Sequence, residues 1–318
     1  MSQGRSIRIV CGNSNIPFAE SVCRNIGMRL SSAHVSTFSD GEIAVSLNET
    51  VRGSDVFIIQ STCTPINDNL MEMLIMVDAC KRASARRITC VMPYFGYARQ
   101  DRKSKSRDPI SAKLVANLIV SAGTDRVLTM DLHAAQIQGF FDIPVDNLIG
   151  SPLFVDYYIK KFKGDYDDVM IVSPDIGSVA RARAFALKMG MDLAIVDKRR
   201  EKANHSEVVN IIGSVEGRRI IMYDDMVDTA GSLCEAATAL VEKGGAKEIY
   251  ACASHGVLSG KALERIEQSV VREVIFSDTI PVGRAENCEK IKYLSAAPLF
   301  AEAINRIYEE VSISTLFR

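Results

Sequence analysis

The chain has 318 residues, 47% hydrophobic and 24% charged, with Lys+Arg 38 against Asp+Glu 39 and a formal net charge of −1. That balance describes a globular protein with core enough for about two domains, and it excludes a global basic field for nucleic acid or anionic lipid. No run of about 18 apolar residues suggests a membrane span and MSQGRSIRIV lacks the long apolar segment of a signal peptide, so the expectation is a cytoplasmic protein with no membrane partner. The eight cysteines (Cys11, Cys23, Cys63, Cys80, Cys90, Cys234, Cys252, Cys288) form no Cys-x-x-Cys pair and mostly sit in apolar surroundings such as ITCVM and IYACA. They read as small buried hydrophobes of a reducing compartment rather than zinc ligands or a disulfide frame.

In chain order, strand-like apolar runs alternate with amphipathic stretches of helical length. IRIVC precedes a helix over 18–28, VFIIQ a helix over 68–83, and ITCVM a helix over 111–121, before RVLTMD closes the series. The pattern then restarts: VMIVS with a helix over 179–189, LAIVD, RIIMY with a helix over 232–243, EIYACA with a helix over 260–266, and VREVIFSD. Alternation of this kind argues parallel α/β layers. The restart is also a repeat. RIVCGNSN and NIGMRL match MIVSPDIG and KMGMDL, and ASARRITCVMPYFG matches GGAKEIYACASHG; Ile9, Gly27 and Ala85 fall opposite Ile171, Gly190 and Ala246 at a nearly constant offset. One α/β unit used twice is the expectation, with domains 1–149 and 150–318.

Ligands of open α/β sheets sit beyond the carboxyl ends of the strands. There, residues 220–232 read IIMYDDMVDTAGS: a buried strand, the acids Asp224 and Asp225, then the turn Asp228-Thr229-Ala230-Gly231-Ser232 before a helix. The turn offers backbone N–H groups, a helix dipole and two hydroxyls to an anion. An ordinary helix cap explains the turn but not the acid pair, since neighbouring carboxylates repel unless a cation or polyol hydroxyls compensate. Together they suit a sugar phosphate such as ribose 5-phosphate. No G-x-x-x-x-G-K-[ST] or G-x-G-x-x-G motif occurs, which disfavours a P-loop kinase or a nicotinamide dehydrogenase.

The strand, acid pair and turn resemble the phosphoribosyl pyrophosphate loop of type I phosphoribosyltransferases. Further segments resemble one family over essentially the whole chain: FSDGEI (38–43), PYFGYARQDRK (93–103), DLHAAQIQGFF (131–141) with DIPVDNLIGSPL, SPDIGSVARARA (173–184), VDKRR (196–200) and SDTIP (277–281). That family is ribose-phosphate pyrophosphokinase, or phosphoribosyl pyrophosphate synthetase, of the class I kind. The resemblance implies two phosphoribosyltransferase-like (type I) domains, each a mostly parallel sheet flanked by helices. It also implies transfer of the ATP diphosphoryl group to ribose 5-phosphate, with Mg²⁺ as cofactor.

By the same resemblance, Asp224, Asp225, Asp228, Thr229, Ala230, Gly231 and Ser232 bind ribose 5-phosphate. Lys198 and Arg200 are the catalytic cations of a loop. ATP would meet Arg99, Gln100 and Asp101, and, from a neighbouring subunit, Phe38, Asp40, Gly41 and Glu42, which implies a homo-oligomer, a hexamer in the family. His133 is the favoured metal ligand, joined by Asp175; Asp131, Asp142 and Asp146 have a weaker claim. A lone histidine after a strand is more often a core residue, and the cationic run Lys198-Arg199-Arg200 alone reads as a solvated face. ADP and inorganic phosphate are the implied effectors, at Thr50, Arg52, Ser312 and Ser314. Three positions depart from the family: Ser232 for threonine, Ser178 for a glycine, and Tyr223 for a smaller aliphatic residue. The competing readings are a salvage phosphoribosyltransferase, which needs no duplicated domain, and a silent synthetase-associated subunit, against which His133, Lys198 and Arg200 stand.

Overall fold

The computed structural model describes residues 6–199 and 208–317. The strands are β1 (Ile7–Cys11), β2 (Ala33–Thr37), β3 (Ile43–Leu47), β4 (Asp55–Ile59), β5 (Arg87–Met92), β6 (Arg126–Met130), β7 (Val145–Leu148), β8 (Val169–Ser173), β9 (Leu193–Arg199), β10 (Val208–Ile212), β11 (Arg219–Val227), β12 (Glu248–Gly256), β13 (Val271–Ser277) and β14 (Ile291–Leu294). The helices are α1 (Ile16–Ile26), α2 (Ile66–Arg82), α3 (Ser111–Ala122), α4 (Ser151–Phe162), α5 (Val179–Met189), α6 (Gly231–Glu242), α7 (Ala262–Gln268) and α8 (Ala297–Glu309). The chain is α/β, with mostly parallel sheets flanked by helices.

By contact the chain forms two compact units, Met1–Ile149 with Thr279–Pro281 and Ser295–Arg318, and Gly150–Asp278 with Val282–Leu294. The first holds a five-stranded parallel sheet in the order β1-β4-β5-β6-β7. Its β2 and β3 form a separate antiparallel ribbon. The second holds a seven-stranded sheet, β10-β9-β8-β11-β12-β13-β14, parallel except for the antiparallel edge strand β10. Every residue of β4 and β8 is buried, which is why both read as unbroken apolar runs: parallel strands are covered on both faces.

The repeat seen in the sequence is a repeat of structure. Each repeat opens with a five-residue strand and an eleven-residue helix, β1-α1 or β8-α5. Both helices end on a left-handed glycine, Gly27 (φ 80°) and Gly190 (φ 66°), followed by a methionine whose N–H returns to the last turn, Met28 to Cys23 O at 2.9 Å and Met191 to Ala186 O at 3.0 Å. This is a Schellman-type stop, and the left-handed residue is glycine because a Cβ is penalised there. The helix starts two residues earlier than the apolar pattern suggests in α1, where Pro17 fits the first turn and Asn15 accepts the Phe18 N–H.

The closing helix of each repeat exchanges places. LIGSPLF (148–154) and LSAAPLF (294–300) open α4 and α8, yet α4 belongs to the second unit and α8 to the first. In the second unit Phe154, Tyr158 and Phe162 of α4 pack with Phe185 of α5 and with Ile171, Tyr223 and Cys252 of the sheet. The first unit mirrors this: Phe300 of α8 meets Phe18 of α1 edge to face at 5.4 Å, both buried. A division at residue 149 therefore follows the sheets, whereas residues 295–318 pack with the first unit because α1 presents its apolar face to α8.

Truncating Phe300 to Ala leaves a cavity beside Phe18, and burial of this kind predicts a loss of about 3–5 kcal/mol of unfolding free energy. Equilibrium denaturation of the variant checks it; a loss below about 1 kcal/mol contradicts the packing role.

Candidate functional site

In the second sheet the chain leaves β8 first to one side, as β9, and then to the other, as β11. A crevice opens at such a switch point, beyond the carboxyl ends of the two central strands. Both ends deliver polar residues. β8 runs into Pro174-Asp175 before α5, and β11 carries Asp224 and Asp225 before the turn at 228–232. Tertiary structure thus unites two motifs separated by about 50 residues of chain.

The acid pair is not left to repel. Arg181 of α5 places Nη1 2.7 Å from Asp225 Oδ1 and 3.2 Å from Asp224 Oδ1. The Ser178 hydroxyl donates to Asp224 Oδ1 at 2.6 Å, its N–H donates to Asp175 Oδ1 at 2.8 Å, and the Asp225 N–H donates to Asp224 Oδ1 at 2.8 Å. A cation inside the chain therefore supplies part of the compensation that the sequence reading assigned to a ligand. Burial, then the neighbouring Asp225 charge, push the Asp224 carboxyl up to about 7, against the opposing pull of Ser178 and Arg181. Arg181 is thus a cation that the chain itself supplies to the pair.

The turn that follows opens a helix. Ala230 is left-handed (φ 59°, ψ 4°) and caps α6, whose first N–H groups have no intrahelical partner. Thr229 and Ser232 are exposed, Gly231 half-buried and Asp228 half-buried. A Cβ on Gly231 would meet nothing closer than 3.7 Å, so glycine serves access here rather than backbone strain.

The matching place in the first unit is blocked. Ile7 pairs with Asp55 as Val169 pairs with Arg219, so Gln60 and Ser61 stand where the second unit has Asp224 and Asp225. Glu72 of α2 accepts from the Asn13 N–H (2.8 Å), Asn13 Nδ2 (2.8 Å) and Gln60 Nε2 (2.7 Å). Gln60 Oε1 lies 2.5 Å from where a Cβ on Gly12 would sit. Side chains thus occupy this strand end in the first unit.

The other expected residues divide by unit. Phe38, Asp40, Gly41 and Glu42 form the exposed tip between β2 and β3, closed by Phe38 N–H to Glu42 O (2.7 Å), with Gly41 at φ 96°. Arg99 and Gln100 are exposed after β5, and Gln100 also anchors α3, taking the Ser111 hydroxyl on its side chain and the Ala112 N–H on its carbonyl (3.2 Å). Asp101 accepts from Gln136 Nε2 at 3.3 Å. After β6, Asp131 is buried with φ 40° while His133 is exposed, and Asp142 is exposed before β7. Asp146 pairs with Arg126 and, with Arg87, Arg306, Ser312 and Ser314, lines a cavity of about 530 Å³. Thr50 and Arg52 are exposed before β4. Among the described residues no three His, Cys, Asp or Glu side chains gather as a metal cage. Mg²⁺ does not require one: it keeps waters and substrate phosphates and takes one or two protein oxygens, and half-exposed Asp175 suits that role. Lys198 lies in β9, its backbone paired with Val209; its side chain and all of Arg200 lie outside the described residues.

Two of the departures find physical reasons. Ser178 does more than stand in for a glycine: it bridges Asp175 and Asp224. Tyr223 is buried and stacks on Phe185 at 4.6 Å, so its bulk belongs to the core. Arg181 escaped the sequence reading, although its place three residues after Ser178, one helical turn on, was the available signal.

Residues 7–123 match the family model of the N-terminal domain of ribose phosphate pyrophosphokinase, and residues 200–318 that of the phosphoribosyl synthetase-associated domain. A ribose-phosphate pyrophosphokinase of Caldanaerobacter subterraneus subsp. tengcongensis is 59% identical over 98% of this chain and 98% of its own. One from Clostridium perfringens is 57% identical over 100% of this chain and 99% of its own. The crystal structure of phosphoribosylpyrophosphate synthetase from Mycobacterium smegmatis superposes with a TM-score of 0.91 at 39% identity, covering 96% of this chain and 100% of that one.

The raised Asp224 pKa has a sign that can be measured. Its protonated form is favoured in the folded chain, so this group's contribution to stability is full below about 4 and is lost as pH rises through about 7. Asp225→Asn removes the neighbouring charge and moves the Asp224 titration acidward from about 7, though not fully to 3.8 because burial remains. Carbon-13 NMR of labelled aspartates reads the midpoint, and an unmoved midpoint contradicts the coupling.

Proposed function

The chain belongs to the ribose-phosphate pyrophosphokinase family, and we infer that it transfers the diphosphoryl group of ATP to the anomeric hydroxyl of ribose 5-phosphate. The products are 5-phosphoribosyl 1-pyrophosphate and AMP, for nucleotide biosynthesis. The observation that carries this reading is the strand end of the second unit, where the acid pair of β11, ion-paired with Arg181 of α5, runs on into the turn at 228–232 that opens α6. A salvage phosphoribosyltransferase accounts for that loop but not for the matching N-terminal domain model over residues 7–123.

In this reading Asp224 and Asp225 hold ribose hydroxyls, while Asp228, Thr229, Ala230, Gly231 and Ser232 hold the 5-phosphate. The sugar therefore arrives oriented at both ends, which leaves its anomeric oxygen as the group presented to ATP. That oxygen forms a bond to the β-phosphorus, the bond from the β-phosphorus to the oxygen of the α-phosphate breaks, and the hydroxyl proton is released. Diphosphoryl transfer asks for positioning and neutralised charge more than for covalent help. Lys198 and Arg200 provide cations for the charge on the moving group. Mg²⁺, held by Asp175 and His133 with weaker contributions from Asp131, Asp142 and Asp146, supplies charge neutralisation on the phosphates when bound.

Arg99, Gln100 and Asp101 take ATP in this proposal, with Phe38, Asp40, Gly41 and Glu42 of a neighbouring subunit closing on the nucleoside. A homo-oligomer, hexameric by family resemblance, follows from that shared site. ADP and inorganic phosphate act as effectors at Thr50, Arg52, Ser312 and Ser314. Domains 1–149 and 150–318 and a cytoplasmic location complete the reading; no described helix is long and apolar enough to cross a membrane.

Release of AMP from ATP on addition of ribose 5-phosphate, with no nucleobase present, tests the reaction, and its absence contradicts it. Lys198→Ala lowers kcat by about 10²–10³-fold with far smaller changes in substrate KM; near-normal turnover removes Lys198 from the mechanism.

A further inference from the structure

We propose that the segment from Leu258 to Arg265 sets the anion-binding form of the 228–232 turn, and that Arg265 is its positioning residue. The inference rests on the reading of this turn as the 5-phosphate site. Three consecutive carbonyls at the entry to the turn are captured by that one segment. The Leu258 N–H donates to Val227 O at 3.1 Å, the Ser259 N–H to Asp228 O at 3.0 Å, and Arg265 Nη1 to Thr229 O at 2.7 Å. The Arg265 guanidinium also lies 3.7 Å from the point where a Cβ on Gly231 would stand.

Peptide planarity converts these bonds into a direction for the opposite groups. In a trans peptide the C=O and the following N–H point opposite ways. Carbonyls 227, 228 and 229 turned towards the segment therefore aim the N–H groups of Asp228, Thr229 and Ala230 away from it, side by side. Successive N–H groups on one side make a concave nest for an anion. Of the three bonds, the Arg265 bond is the one a side-chain change removes.

That bond also guards the weakest point. Ala230 holds φ 59°, a conformation that L residues other than glycine adopt at a cost. Half a turn of the Thr229–Ala230 peptide would release Ala230 from the left-handed region. It would also swing the Thr229 carbonyl into the nest, where it repels phosphate. Arg265 opposes this flip by holding the carbonyl outside, with a charge-assisted bond stronger than a neutral one.

The test is an initial-rate comparison of Arg265→Met with the parent enzyme, after thermal denaturation shows both folded. The expected result is a KM for ribose 5-phosphate raised about tenfold or more, with kcat and the ATP KM within about twofold, as loss of one charge-assisted bond predicts. Adding Ala230→Gly to Arg265→Met recovers about fivefold of that KM, because glycine takes the left-handed region freely. A mere charge effect of Arg265 on the phosphate predicts no recovery with glycine and a normal KM in Arg265→Lys, and that pattern overturns the proposal. So does an unchanged ribose 5-phosphate KM in Arg265→Met; if that variant unfolds, Arg265→Gln takes its place under the same expectations. Absence of AMP release by the parent enzyme overturns the function reading instead, and calorimetric binding of inorganic phosphate, weaker in Arg265→Met than in the parent, still tests the nest.

Discussion

Two carboxylates adjacent in sequence at the mouth of a sheet need a cation near them, and Arg181 is that cation. The arrangement constrains much else in the second unit. α5 must start where it does, directly after β8, for its third residue to reach β11; Ser178 must cap it for Asp175 and Asp224 to be linked. β8 and β11 must be neighbours, which only the reversal of strand order at that point provides. Arg181 offsets part of the charge of the pair, which keeps two neighbouring carboxylates compatible with folding.

The two repeats diverge at one strand end. Both units contain the same strand, helix and glycine stop. They part company at the strand end, where the second unit has Asp224 and Asp225 and the first has Gln60 and Ser61, with Glu72 drawn into the gap. A neutral amide carrying both a donor and an acceptor satisfies itself against Glu72, Asn69 and Ser14 without any ligand. The first unit is thereby freed for other work, and its exposed polar residues lie elsewhere: at the β2–β3 tip and after β5 and β6. Burial pushes the Cys80 and Cys90 thiols up to about 12 and the Cys63 thiol to about 11, as expected of cysteines that serve as core residues.

Much of this was readable beforehand because buried parallel strands leave continuous apolar runs, as in VFII and VMIVS, and because the repeat shows in both strands and stops. The β2–β3 ribbon was not: AHVST and IAVSL are only half-buried, and neither is long or strongly alternating. Placement of α4 and α8 was equally hidden, since LIGSPLF and LSAAPLF carry the same local signal and only tertiary packing assigns each to its unit. At the site, IIMYDDMVDTAGS showed its acid pair and helix-opening turn by residue type alone. Arg181 and Arg265 did not announce themselves, because sheet order, not sequence proximity, brings them to Asp224 and Thr229. Gln100 shows the reverse case: a motif residue marked for nucleotide also secures the start of α3.

In the proposed reaction the acid pair recognises the sugar, while Arg181 offsets its charge in the folded chain. Steady-state kinetics of a doubly substituted Asp224→Asn, Asp225→Asn enzyme tests this most directly, because the shape of both side chains is kept and only their charge is lost. The expected result is a ribose 5-phosphate KM raised by about two orders of magnitude, the worth of a few kcal/mol of charged hydrogen bonds, with the ATP KM little changed. An unchanged ribose 5-phosphate KM contradicts recognition by the acid pair.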